Sequence, residues 1–256
     1  MLKKIFFALT GIIILFGAAN FFPGENSGVS GENSEVTKPE SVTPVKTVSA
    51  EPVAPNAEEL KPPIVEKFLP QSDYREQLTR QYAELHYGMS ITEIEPQAVV
   101  VHWTAGSTWE SAYYTFYDDT RGDGTVNVSS HYIIDKDGTI YQLTSETHLN
   151  RHAIGYNWCA IGIENVGGVG NAEDLTYEQL VANINLIRYL HKKYPTIEFV
   201  FGHYQQVVAR ASGLYIENVP GYHSVKPDPG WTFMHGLEDN LKGDGLKFFP
   251  IEVYDG

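Results

Sequence analysis

The residues that could build a hydrophobic core are confined to one part of this chain. All 4 tryptophans and all 16 tyrosines lie after residue 63. The stretch 64–256 contains about 190 residues, which is enough for one well-filled core. We therefore expect a single folded domain over residues 64–256 and no second one.

Residues 23–63 have the composition of an unfolded tether. They hold seven of the 14 prolines and seven glutamates, and they contain no aromatic residue. Such a segment buries too little apolar surface to offset the entropy lost on ordering. We predict a disordered linker rich in Pro, Glu and Ser.

Residues 1–22 have the layout of an export signal. Lys3 and Lys4 precede an almost wholly apolar run, Ile5–Phe22, and small residues near Ala19 offer a cleavage point. The run is also long enough to cross a bilayer uncleaved, with the rest of the chain outside the cytoplasm. A buried core helix is the less favoured alternative, because an unfolded stretch follows. We expect a periplasmic, cell-wall-associated or secreted protein, either released or held by an N-terminal membrane anchor.

Charge and cysteine content narrow the function classes. Lys and Arg number 18 against 32 Asp and Glu, giving a net charge of −14. This balance excludes a typical nucleic-acid binder, because phosphate contacts need clustered cations. The single cysteine, Cys159, can form neither an internal disulfide nor a multi-cysteine zinc site. Histidine and carboxylate are therefore the expected ligands of any metal.

Hydrophobic periodicity predicts strands that alternate with helices. Continuous apolar runs are typical of buried strands, and apolar residues three or four apart are typical of helices. We therefore expect an α/β (α+β) fold, a central mixed β-sheet flanked by helices. The predicted strands are 97–103, 159–166 and 197–201 with a hairpin at 131–143, and the predicted helices are 72–87, 107–118 and 176–194; Gly- and Pro-rich loops and a short strand near 248–253 complete the chain.

Polar residues stand at the ends of the predicted strands. His102 follows the apolar run 99–101, and His203 follows the run 199–201 after one glycine. Two histidines in matching positions are a natural pair of metal ligands. Asp228 lies between two prolines, which restrict its backbone and hold the carboxylate in one direction.

Glu164 lies inside an apolar run, where a carboxylate is costly unless it faces a cleft or an ion. Two neutral histidines and one carboxylate, with a fourth position for water, form a common catalytic zinc arrangement. A nearby carboxylate can take the water's proton, and a lysine can stabilise an oxyanion. Because the ligands are far apart in sequence, a second interpretation stays open: His102 and His203 are hydrogen-bonded core histidines.

Five ordered blocks resemble a known family. The chain is similar to the zinc-dependent N-acetylmuramoyl-L-alanine amidases, which include phage-type lysozyme amidases, bacterial cell-wall amidases and peptidoglycan recognition proteins. The resemblance covers roughly residues 95–235. The blocks are VVVHWTAGS (99–107), HYIIDKDGTIYQL (131–143), HAIGYNWCAIGIENVGG (152–168), FGHY (201–204) and KPDPGW (226–231).

The resemblance implies a role for each matching residue. His102, His203 and Asp228 match the family's zinc ligands, Glu164 matches its catalytic glutamate, and Lys226 matches the lysine two residues before the metal-binding acid. The implied reaction is hydrolysis of the amide between N-acetylmuramic acid and L-alanine by a zinc-activated water. Glu164 would take the water's proton, and Lys226 would stabilise the oxyanion. Non-catalytic relatives lose the third ligand, so its presence here favours an enzyme.

Three residues have weaker assignments. His152 matches a family position near the substrate, and Tyr132, in the hairpin, is predicted to lie near the metal. The segment between His203 and Lys226 is longer than in the family, which makes His223 a rival second ligand. We favour His203, because it ends a strand as His102 does.

Two other functions stay open at this point. The chain could be a non-catalytic module that binds peptidoglycan without cutting it, or a cysteine peptidase that uses Cys159 and His152. The favoured prediction is a monomeric zinc amidase with peptidoglycan as its partner and no nucleic acid.

Overall fold

The structure is a computed structural model that describes residues 56–251. The predicted signal or anchor at 1–22 and most of the predicted linker lie outside the described residues. Among the described helices, none combines the length and the apolar character needed to cross a membrane.

The described chain begins with structure inside the stretch predicted as linker. Helix α1 (Ala57–Leu60) starts at a capping box between Asn56 and Glu59, and Leu60 packs against the main core. Strand β1 (Ile64–Glu66) follows directly. The prediction of an unfolded segment up to residue 63 is therefore wrong at its C-terminal end, because Leu60 finds an apolar partner surface that the local composition does not show.

The described residues form six strands and five α-helices. After α1 and β1 come α2 (Asp73–Tyr87), β2 (Ala98–Trp103), α3 (Trp109–Tyr117), β3 (Tyr132–Ile134), β4 (Ile140–Gln142), β5 (Ala160–Asn165), α4 (Tyr177–Lys193), β6 (Phe199–Gly202) and α5 (Trp231–Leu241).

The strands form one mixed sheet in the order β1-β4-β3-β5-β2-β6. Strands β3 and β4 form the predicted antiparallel hairpin, and every other neighbouring pair is parallel. All six residues of β2 are buried, which explains why its sequence is apolar except for His102. The predicted α/β fold with a central mixed sheet is confirmed.

The main core lies between one face of the sheet and helices α4 and α5. Thr176 and Gln179 form a capping box at the start of α4, which satisfies backbone N–H groups that a helix start leaves without partners. The helix buries three residues of the predicted apolar stripe against the sheet: Ile184, Ile187 and Leu190. The fourth predicted residue, Leu180, is partly buried against the same core, and Leu186 is buried in addition.

Helix α5 corrects the prediction for the C-terminal part, which was Gly- and Pro-rich loop followed by a strand. Phe233, Met234 and Leu237 are buried at helical spacing. The carboxylate of Glu173 accepts hydrogen bonds from the first backbone N–H groups of the helix. Residues 248–250 form no strand, and the only pairing near them is a parallel bridge between Phe199 and Lys247 in the described chain.

Candidate metal centre and active site

Three neighbouring parallel strands bring distant residues to one edge of the sheet. His102 lies near the carboxyl end of β2, and His203 directly follows β6. Glu164, on β5, is the register partner of His102. Since the carboxyl ends of parallel strands share one edge, and open α/β sheets bind ligands there, residues far apart in sequence meet at this point.

Asp228 reaches the same edge because a glycine lets its loop approach. A Cβ on Gly202 would lie 2.7 Å from Cδ of Pro229, closer than real contacts allow. The backbone N–H of Tyr204 donates to the carbonyl of Asp228 at 2.9 Å. The absence of a side chain at Gly202 thus lets the Asp228 loop lie on the end of β6.

The two imidazoles and the carboxylate converge on one point. Nδ1 of His102 lies 3.0 Å from Nδ1 of His203, and each nitrogen is 3.2 Å from Oδ2 of Asp228. A tetrahedral zinc site with bonds of about 2.0–2.1 Å places neighbouring ligand atoms about 3.3 Å apart. All three residues are buried. The group therefore fits a divalent cation, and the chain carries a site that could bind a metal.

The protonation states also suit a metal. Burial, followed by the neighbouring His203, lowers the pKa of His102 to about 4. Burial alone would raise the pKa of Asp228, but His203 and the hydrogen bonds of both imidazoles hold it well below its usual range. Near neutral pH the cluster thus offers a neutral imidazole and an ionised carboxylate, the forms that bind metal ions.

His152 orients the first histidine. Nε2 of His102 lies 3.1 Å from Nδ1 of His152, and Nε2 of His152 lies 3.1 Å from the carbonyl oxygen of Ala160. One tautomer assignment satisfies both contacts: each Nε2–H donates, which leaves Nδ1 of His102 free to face the cluster. His152 also lines the same cleft as Glu164 and Asp228, so it contacts both the cleft and His102.

A glycine in the neighbouring strand makes room for that ring. A Cβ on Gly162 would lie 2.7 Å from Cγ and 2.8 Å from Nδ1 of His152. Gly162 precedes Glu164 by two residues on β5, so both face the same side of the sheet. The presence of glycine in the segment Ile-Gly-Ile-Glu is therefore explained by sterics, because any side chain at position 162 would clash with the His152 ring.

Glu164 faces the cleft with no partner for one oxygen. Its Oε2 is buried and has no hydrogen bond among the described residues. Burial, then the charge of Asp228, raises the pKa of Glu164 well above its ordinary value, and Lys226 opposes this shift. Lys226 is exposed and lines the same cavity of about 330 Å³ together with Glu164, His203 and Asp228. The cleft thus combines a proton acceptor and a cation beside the candidate metal site.

Tyr132 corrects one prediction. It is 0% exposed and belongs to the core under α4, and its hydroxyl donates to Oε1 of Glu146 at 2.6 Å. Its neighbour Ile133 is the register partner of Glu164. Because successive strand residues point to opposite faces, Tyr132 faces away from the cleft. The prediction that it lies near the metal is wrong.

Two alternatives from the sequence are also excluded. His223 is exposed, and its Nδ1 contacts the carbonyl of Gly221 at 2.9 Å, so it is no part of the cluster. Cys159 is 0% exposed, and burial raises the pKa of its thiol far above the usual range. A thiol that stays protonated is a poor nucleophile, which removes the cysteine peptidase interpretation.

Arg151 also belongs to the cleft, although no sequence pattern singled it out. This residue lines the cleft beside His152 and also lines an adjoining cavity. Only its position directly before His152 could have pointed to it.

The fold and the site together define an α/β domain with a His-His-Asp group at the carboxyl edge of its sheet and a proton acceptor beside it. A family model described as N-acetylmuramoyl-L-alanine amidase matches residues 92–231, more than half of the chain. The chain belongs to this amidase family, and its activity is hydrolysis of the amide between N-acetylmuramic acid and L-alanine in peptidoglycan. A comparison with curated proteins gives no significant match.

Several solved structures are similar to this chain. The N-acetylmuramoyl-L-alanine amidase LysC from Clostridium intestinale URNW is 23% identical, with 73% of this chain and 100% of that chain covered and a TM-score of 0.47. Bumblebee PGRP-SA is 19% identical, with 74% and 99% covered and a TM-score of 0.46. The Ph2119 endolysin from Thermus scotoductus MAT2119 bacteriophage Ph2119 is 18% identical, with 72% and 100% covered and a TM-score of 0.42. The family assignment rests on the sequence match.

Proposed function

We propose that this amidase is zinc-dependent and that His102, His203 and Asp228 hold the ion. The observation that carries the proposal is the convergence of three ligand atoms within 3.2 Å of one another on buried side chains. Two histidines and one carboxylate are a donor set that suits zinc and leaves a position for water.

The chain's own residues supply the rest of the chemistry. A bound zinc ion would polarise the substrate carbonyl and bring the pKa of a water to about 7. The unpartnered Oε2 of Glu164 accepts a proton from the attacking water and returns it to the departing amine of L-alanine. Lys226, at the rim of the same cavity, donates to the oxyanion of the tetrahedral intermediate.

The N-terminal segment supports export of the enzyme. The substrate lies outside the cytoplasmic membrane, and residues 1–22 have the charge and apolar pattern of a secretory signal or anchor. We propose that the domain acts as an exported monomer on the cell wall, either released or anchored at its N-terminus.

Removal of the metal tests the proposed cofactor. We expect the full-length protein to release stem peptides from purified peptidoglycan, and a chelator to lower that release at least about a hundredfold. Added Zn²⁺ should restore it, and chelator already saturated with zinc should have no effect. The measurement is the appearance of L-alanine amino groups, with the metal content followed by mass spectrometry.

Two results would contradict the proposal. Undiminished release from metal-free protein would exclude the zinc mechanism. Binding of peptidoglycan by the zinc-loaded protein without any release would identify a non-catalytic binding module instead.

Gly162→Ala tests the support of His102 by His152. The added methyl group should displace the His152 ring and weaken zinc binding about 10- to 100-fold, the range typical for a lost outer-shell partner. The measurement is the zinc Kd by competition with a metal-binding dye. Gly243→Ala is the matched control, because a Cβ there would meet nothing within 4 Å. An unchanged zinc Kd in Gly162→Ala would show that His152 does not position His102.

A further inference from the structure

A second cavity, of about 180 Å³, adjoins the catalytic cleft and has an unusual charge. Three cations line it, Arg121, Arg151 and Lys226, and no acidic residue does. The chain as a whole carries 32 acidic and 18 basic residues, so the positive lining of this cavity contrasts with the net negative charge of the protein. The cavity shares five lining residues with the cleft: Val128, Arg151, His152, His203 and Lys226.

Arg151 is held in place by neutral groups. Its Nη1 donates to the carbonyl of Val126 at 2.7 Å and to the hydroxyl of Thr125 at 2.8 Å, and its Nη2 donates to the hydroxyl of Tyr222 at 2.8 Å. The guanidinium lies 4.9 Å from the ring centroid of Tyr82. These contacts fix the orientation of the guanidinium without neutralising its charge.

Arg151 forms no direct ion pair with a carboxylate of the described residues. Asp123 acts on its charge only at longer range, beyond the Thr125 hydroxyl. Its contacts with the described chain use two hydrogens of Nη1 and one of Nη2, so Nε–H and one Nη2–H have no acceptor there. A planar guanidinium with free N–H groups in a half-enclosed cavity is suited to a carboxylate.

We propose that Arg151, with Arg121 beside it, binds a free carboxylate of the stem peptide close to the scissile amide. The inference rests on the proposed function and adds a substrate preference to it: acidic stem peptides over amidated ones. Arg151 directly precedes His152, which contacts His102 of the metal cluster, so the recognised group lies near the reacting amide. The residue that follows L-alanine in the stem peptide is the one this position selects.

Two muramoyl dipeptides that differ in one group test this preference. N-acetylmuramoyl-L-alanyl-D-glutamate carries a free α-carboxylate where N-acetylmuramoyl-L-alanyl-D-isoglutamine carries an amide, and the γ-carboxylate is free in both, so the pair isolates recognition of the α-carboxylate. We expect the zinc-loaded full-length enzyme to favour the acid about 10- to 100-fold in kcat/KM, the range for a hydrogen bond to a charged group. Arg151→Gln should bring the ratio close to one, mainly through KM for the acid, and Arg151→Lys should keep part of it.

Two further variants separate recognition from a structural role. Tyr222→Phe removes an acceptor of Arg151 but keeps the positive charge, so it should keep the preference for the acid. Arg80→Gln, at an exposed position on α2, is the matched control and should change neither rate. Equal rates for the two dipeptides in the wild type, or an equal fall for both in Arg151→Gln, would overturn the proposal.

The outcome also distinguishes this inference from the proposed function. If neither dipeptide is cleaved and peptidoglycan is not cut either, the proposed function fails. In every case the Kd values of the two dipeptides, measured by calorimetry, decide the subsite: tighter binding of the acid that Arg151→Gln removes supports it, and equal Kd values in the wild type refute it.

Discussion

Glu164→Gln is expected to abolish amide hydrolysis while the protein keeps its metal. Loss of a general base lowers kcat by about 10²- to 10⁴-fold. Glutamine has the same shape but cannot accept the proton that Oε2 of Glu164 is free to take. The variant should fold at least as stably as the wild type, because the substitution removes a buried carboxylate whose pKa is raised by burial and by Asp228. The measurement is stem-peptide release together with metal content and melting temperature.

A matched control is available on the protein surface. Glu110→Gln changes an exposed glutamate in the first turn of α3 and should leave the rate unchanged. Wild-type turnover in Glu164→Gln would remove Glu164 from the mechanism. Loss of the metal together with the activity would instead assign Glu164 to metal binding.

Asp228→Asn is expected to lose the metal itself. The carboxylate is the one anionic member of the cluster, and its Oδ2 lies 3.2 Å from both imidazole nitrogens. An amide of the same shape carries no charge and is a poor zinc ligand. Since even outer-shell changes cost 10- to 100-fold in affinity, we expect zinc Kd to rise by more than about a hundredfold and activity to be lost at ordinary zinc concentrations.

The zinc Kd of Asp228→Asn is measured by titrating the variant with zinc. A high zinc concentration should restore part of its activity. Asp239→Asn, at an exposed position on α5, is the control and should bind zinc as the wild type does. Wild-type zinc affinity in Asp228→Asn would show that the ion is held elsewhere, and the proposed mechanism would fall with the ligand set.

Long segments with a regular pattern could be predicted from the sequence. Helix α4 was visible because its apolar residues repeat at helical spacing. Strand β2 was visible because both of its faces are buried. Strand β1 and helix α5 were missed, since three residues carry little pattern and Gly236 interrupts the second. Short or interrupted elements take their conformation from the surfaces that they pack against.

The residues of the candidate site also divide into those that a local sequence pattern revealed and those that it did not. His102 and His203 were found because a polar residue at the end of an apolar run is conspicuous, and Glu164 because it lies within such a run. Tyr132 was assigned to the wrong face of the sheet, the face that looks onto the cleft. Which face of a strand looks onto the cleft depends on the register with neighbouring strands, which the residues of one hairpin do not reveal.

The sequence alone established which segments must be buried and which candidate ligands the chain carries. The buried segments are the apolar runs, and the candidate ligands are the histidines and carboxylates in or directly after those runs. Only the tertiary structure showed which of them meet. It places His203 and not His223 beside His102, sets His152 behind the first imidazole, and brings Arg151, which forms no direct ion pair with the described residues, to the cleft. The physical reason is distance. Periodicity and capping act over a few residues, whereas the sheet edge brings His102 together with His203 and Asp228, which are 101 and 126 residues away in sequence.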